Sequence, residues 1–234
     1  MEQLNLIWQG LPSLLSGTVT TVILTLYFLS LGFVLGIILA LGRVYGSRII
    51  NILLIQPFER FFRAVPALVL LFLFYFGSSF FNINMSPFVA AILAMGLRSA
   101  AYQSQIFRGA IQSIGEGQMK TARSLGMNTL QSIRHVILPQ ALRLSIPPWA
   151  NEYAVVLKDS SLAYAVGVTE LLRQGRYIVA RTFGNALLIY TFCALIYFVL
   201  VFVGNQCLKL LEEKYRIPGY EIKTTKHQSV LERI

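Results

Sequence analysis

Acidic side chains are scarce in this 234-residue chain: ten Asp and Glu stand against twenty Lys and Arg, and charged residues of both signs make up only 13%. A soluble domain carries about 25%, so a water-facing globule is excluded as the main body. Cysteine is nearly absent as well. Cys193 and Cys207 both fall in the last apolar run, without a CxxC neighbour, which argues against a disulfide framework or a thiolate metal site. No G-x-x-x-x-G-K-[ST] phosphate loop occurs, and the Lys120-Thr121 pair lacks the glycine before it. ATP hydrolysis by this chain is therefore not expected. Met1-Glu2-Gln3 opens without a basic stretch or a small-residue cleavage site, and is expected to begin a mature protein rather than a cleaved signal.

What the chain has in quantity is hydrocarbon, at 56% hydrophobic residues. Apolar runs cover roughly 14–41, 64–81, 88–111, 142–157 and 182–208, and several reach the ~18–20 residues that cross a bilayer. An all-α membrane protein of about five transmembrane helices is expected. The net charge of +10 admits two readings, nucleic-acid binding or cytoplasmic loops filled by the positive-inside rule. The basic residues sit at segment junctions and form no aromatic-interleaved patch, which favours the second, so no nucleic-acid partner is expected.

Within the first run, Gly32, Gly36 and Ala40 recur at four-residue spacing. They make either a flat seam for a neighbouring backbone or a chance enrichment of glycine. The basic, amphipathic stretch 51–63 suits a short helix at the inner surface. Pro147 and Pro148 are expected to kink or start the fourth span. With the N-terminus outside, the segments between spans place sixteen Lys and Arg inside and four outside, which favours five spans, N-out and C-in. On that count residues 1–215 form a membrane domain and 216–234 a basic cytoplasmic tail.

The longest polar interruption runs from Ser113 to Arg143, with Lys120, Arg123, Arg134 and Arg143 against the single acid Glu116. Gly126 is expected to cap one short helix in the left-handed conformation, a second helix starts near Thr129, and Pro139 is expected to end it. Two helices at a rigid corner make a projecting knob. The stretch GQMKTARSLG, nine residues, then VILPQALR resembles the cytoplasmic loop of ABC importer permeases. The pattern falls on Lys120, Thr121, Ala122, Gly126, Val136, Leu138 and Pro139. AYQSQIFRGAIQSI, NEYAVVLKDSSLAYAVGVTELLR and FFRAVPALVLLF are similar to the polar amino acid uptake branch. Two departures stand out: Lys120-Thr121 replaces the family's Glu-Ala, and Gln105 replaces the Glu of AYxxEIxRG.

The resemblance implies a type I ABC importer permease core in a prokaryotic cell membrane. It implies cytoplasmic ATP-binding subunits that use ATP and Mg, with no cofactor on this chain. It also implies an extracytoplasmic solute-binding protein and an amino acid substrate. Five helices do not easily enclose a path, so a second permease copy or a related subunit is expected, embedded among membrane lipids.

Arg98 lies eleven residues into its run, about 16 Å along the axis. Near the midplane an unpaired Arg costs roughly 2.5–3.5 kcal/mol. Tyr102 and Gln105 share its helix face. On the fourth run Asn151 with Lys158, and Glu152 with Asp159, form two polar stripes. Two readings are open: a structural ion pair of Arg98 with Glu152, or contacts in which Arg98 takes a substrate carboxylate and Glu152 its ammonium. Ser160 and Ser161 are weaker pathway candidates, because membrane hydroxyls often bond their own backbone. The rival function is a self-contained ion-coupled transporter or channel, although no internal repeat of broken helices is visible. A purely structural anchor fits poorly with charge at midplane depth.

Overall fold

The computed structural model describes residues 2–182 and 186–215, so the expected basic tail, 216–234, lies outside the described residues. Helix α1, Glu2–Tyr45, carries an apolar stretch Gly10–Tyr45 that is long enough to cross a membrane. At 1.5 Å per residue that stretch is about 54 Å long, well beyond a ~30 Å hydrocarbon core. Some of its hydroxyls are bonded along the helix itself: Thr18 donates to the Leu14 carbonyl and Thr25 to that of Thr21, both at 2.8 Å.

A helical stretch follows, made of α2 (Arg48–Ile50), one π-turn (Asn51–Ile55) and α3 (Gln56–Ala64). It meets α4, Ala67–Phe80, at 107°. Proline explains the corner. The residue before a proline is driven to extended backbone; Val65 has ψ 133°, and Pro66 stands at the head of α4. The apolar run 64–81 thus becomes a helix of only 14 residues, about 21 Å, too short to span alone.

Helix α5, Pro87–Ser113, is the centre of the fold, packing against α1, α3, α4 and α8. Ser86 caps it by accepting from the Val89 N–H. Its buried face is mostly small, with Ala90, Ala91, Ala94, Ala100 and Ala101, so neighbouring helices approach closely. The seam on α1 lies against this face. A Cβ at Gly32 would collide with the Gln103 amide and stand 2.9 Å from Ser99 Oγ, while one at Gly36 would be 3.0 Å from Gln103 Cβ. Ala40 is fully buried. Close packing, not chance, places those small residues.

Past the elbow described below, α8 (Leu138–Asp159) returns along α5, then passes through a 3-10 turn (Ser160–Val166) into α9 (Leu171–Thr182) and α10 (Ala186–Tyr215). Three expectations are corrected here. Pro139 does not end a helix, because it sits in the first turn of α8, directly after a π-turn over Ile133–Ile137. A proline in a first turn forfeits no needed N–H. Of the two outcomes expected of Pro147 and Pro148, a kink or a start, the start is overturned, because both lie inside α8. The last helix continues past residue 208 to Tyr215.

Candidate functional site

Two features rise above packing: a file of polar side chains along α5, and the elbow at its far end. The file begins at Arg98, whose Nη1 lies 2.7 Å from Asp159 Oδ2 at the end of α8. The guanidinium also stands over the Tyr102 ring, 4.9 Å from its centroid. Of the two readings, the ion pair with Glu152 is corrected: Asp159 holds the ion pair, about two helical turns further along α8. Glu152 is buried and accepts from Ser99 Oγ at 2.8 Å. Arg98 Nε is buried without a partner. That leaves at least one of the five guanidinium donors unsatisfied.

Sequence reading missed the next links. Gln103, fully buried, donates to Ser99 Oγ (3.0 Å) and to the Leu29 carbonyl of α1 (3.2 Å), and accepts from Trp149 Nε1 of α8 (2.7 Å). Ser104 donates to Glu59 of α3 at 2.8 Å, and Glu59 is itself buried. One helix thus reaches α1, α3 and α8 through hydrogen bonds that hydrocarbon cannot replace. The signal in the sequence was the Ser99–Gln103 spacing of four beside the small-residue seam. Gln105 contributes little, with a 3.5 Å contact to Ser104 Oγ at the limit of a hydrogen bond.

The two stripes on α8 part company. Glu152 and Asp159 turn toward α5, whereas Asn151 and Lys158 are exposed on another face. Ser160 and Ser161 bond backward, to the carbonyls of Leu157 and Lys158, both at 2.7 Å. A second polar knot, also unforeseen, centres on Glu170. It accepts from the backbone N–H groups of Leu172 (2.9 Å) and Arg173 (2.8 Å) and from the Tyr197 hydroxyl (2.9 Å). Thr21 of α1 accepts from Leu171 N at 3.2 Å. Glu170 so caps α9 and ties it to α10, while Thr21 ties α9 to α1.

The glycine corner of the elbow and the helix restart near Thr129 are as the sequence expected, whereas the close at Pro139 is not. Helix α6, Glu116–Ser124, ends in a Schellman motif. Gly126, at φ +86°, donates to the Arg123 carbonyl, and Met127 donates to that of Ala122. A capping box opens α7 (Thr129–Ser132): Asn128 Oδ1 accepts from Gln131 N at 2.8 Å, and Gln131 Oε1 accepts from Asn128 N at 2.9 Å. Ala122 is buried inside the corner, while Leu125 and Leu130 protrude at 76% and 74% exposure. Lys120 pairs locally with Glu116 at 3.0 Å, and Thr121 is exposed. Leu138 is half-buried and Pro139 exposed where the elbow joins α8.

Long apolar helices that trap paired charge between them, with a rigid corner at one end, define a membrane transport component rather than an anchor. Residues 32–217 match the family model for the binding-protein-dependent transport system inner membrane component. The chain belongs to that family. It is 34% identical over 213 residues to the glutamine transport system permease protein GlnP of Escherichia coli K12, covering 90% of this chain and 96% of that one. It is 36% identical over 207 residues to the probable amino-acid ABC transporter permease protein YckA of Bacillus subtilis 168, covering 88% and 91%. Among solved structures, a crystal structure of an amino acid ABC transporter with histidines superposes with a TM-score of 0.82 at 32% identity, covering 92% of this chain and 99% of that chain.

Proposed function

We propose that this chain is the membrane permease subunit of an ATP-driven importer for a polar amino acid, working with a second permease subunit and an extracytoplasmic solute-binding protein. Separate cytoplasmic subunits bind ATP and Mg, and this chain carries no cofactor. The observation that carries the reading is the elbow: two large apolar side chains, Leu125 and Leu130, protrude from a corner fixed at both ends by capping hydrogen bonds. Exposed apolar groups on a rigid support suit a cleft in a soluble partner. Family membership disfavours the self-contained ion-coupled transporter. The chain crosses the membrane about five times, N-out and C-in, with the bent stretch Arg48–Ala64 along the inner surface. Two helices alone, or three spans with the bent pair, are long and apolar enough by themselves among the described residues. Helices α5 and α8 have the length but carry the transport charge.

The polar file lines the path. A substrate carboxylate competes with Asp159 for Arg98, whose Nε is free to donate, and Glu152 takes the ammonium. Tyr102, Gln105, Ser160 and Ser161 are the further pathway positions beside this file, and Asn151 with Lys158 are pathway positions on the other, exposed face of α8. Exchange of one salt-bridge partner for another lets the substrate bias a two-state packing.

The test is uptake in proteoliposomes with and without the ATPase subunits. Leu125→Asp with Leu130→Asp is expected to cut ATP-driven amino acid uptake more than about tenfold, as loss of an interface hot spot does, while expression and the unfolding midpoint hold. Uptake that needs no ATPase subunit would overturn the proposal.

A further inference from the structure

A cleft of about 720 Å³ opens between α1, α8 and α10. Its walls include Leu29 and Phe33 of α1, Leu142 and Ile146 of α8, and Leu208 and Leu211 of α10. At 1.5 Å per residue the lined stretches run about 10–15 Å. One end differs in kind. Arg143 lines it, with the guanidinium carbon 5.9 Å from the centroid of the Tyr215 ring, and the Lys214 ammonium is 5.8 Å from the same centroid. Neither cation has a carboxylate partner among the described residues, although Glu212 and Glu213 precede Lys214.

Both cations are exposed at the mouth of the cleft and neither is tied up in an ion pair among the described residues, so both are free to meet an anion. The ligand that fits is amphiphilic, with a hydrocarbon chain for the cleft and a negative head for the ring. A small polar substrate would leave the apolar walls uncovered. Arg143 is near the start of α8 and Tyr215 at the end of α10, so the basic end faces the same way as the elbow. Basic pockets between membrane helices on the cytoplasmic side hold anionic lipid head groups.

We propose that this cleft is a binding site for one anionic phospholipid, its acyl chain against Phe33, Leu142 and Leu211 and its phosphate between Arg143 and Lys214. Only the choice of the inner leaflet rests on the orientation proposed above; the site does not depend on the transport reading. An accessory lipid there would brace α10 against α1 and α8.

Trp149 lines the cleft and reports on it. The full-length chain, with Trp8→Phe and in its assembled transporter, is placed in phosphatidylcholine nanodiscs carrying a minority of brominated phosphatidylglycerol. Brominated phosphatidylglycerol is expected to quench Trp149 more strongly than brominated phosphatidylcholine at the same mole fraction. Arg143→Gln with Lys214→Gln is expected to weaken the apparent affinity roughly 30-fold, at the strength of two surface cations, whereas Arg143→Lys retains it and shows that the fold survives. Inorganic phosphate is expected to leave the quenching unchanged. Four results would each overturn the site: equal quenching by both lipids, no effect of the double substitution, reversal by phosphate, or a Leu142→Cys cross-link to a second permease copy that fills the cleft.

Discussion

At the residue scale, Arg98 and Asp159 set the terms. The pair is half-buried, at 19% and 27% exposure, so removing one member leaves the other partly uncompensated and costs less than the about 3–5 kcal/mol of a fully buried pair. Arg98→Gln and Asp159→Asn are each expected to lower the thermal unfolding midpoint in detergent, and the double variant to recover much of the loss. Additive losses in that double-mutant cycle would show that the 2.7 Å pair does not couple the two helices. The need of Arg98 for a partner was legible from its place eleven residues into an apolar run. Which carboxylate answers it was not. Glu152 and Asp159 occupy one stripe seven residues apart, and only the vertical offset between α5 and α8 decides which of them the guanidinium meets.

The same scale holds the seam. Gly32→Leu drives a side chain into Ser99 and Gln103, where overpacking costs typically 1–3 kcal/mol. The expected outcome is a lower unfolding midpoint and lost uptake, while Val34→Leu, on an exposed position, changes neither. The four-residue spacing was visible in the sequence, but its target was not, because spacing names a face and not the helix opposite.

At the element scale the elbow was the best-read part of the chain. Its signals are local: a glycine that must be left-handed and a helix restart near Thr129, while the Asn128–Gln131 capping box that fixes the restart was not read. Gly126→Ala places a Cβ at φ +86° and is expected to cost about 1–2 kcal/mol of local order. Asn128→Ala removes the capping box, at about 1 kcal/mol. Both should raise protease sensitivity near residue 126 and reduce ATP-driven uptake, leaving the unfolding midpoint of the membrane helices in place. Prolines were read less well. Pro139 looked like a stop and Pro147 with Pro148 like a kink or a start, yet the helix from Leu138 runs through all three. A π-turn ahead of Pro139 changes which carbonyls its ring must avoid, and hydrogen-bond shifts of that kind leave no mark in composition.

At the scale of the whole molecule, orientation is the open test. In a Cys207→Ser background, Ser86→Cys is expected to react with an impermeant thiol reagent from outside intact cells, and Gly117→Cys only after the membrane is opened. The reverse labelling would invert the assignment, and place the elbow on the wrong side for an ATPase.

Composition alone determined that this chain is a helical membrane protein, because hydrocarbon runs of bilayer length have few other solutions in which every backbone group is bonded. The motif around Gly126 determined the family likeness, because capping chemistry is written in neighbouring residues. The tertiary structure decided the rest: that Arg98 is answered by Asp159, that Gln103 and Glu170 hold helices together, and that Arg143 and Lys214 converge on Tyr215. Each of those depends on how far one helix slides and turns against another. Side-chain contacts in a membrane are fixed by that packing, and no periodicity within a single helix encodes it.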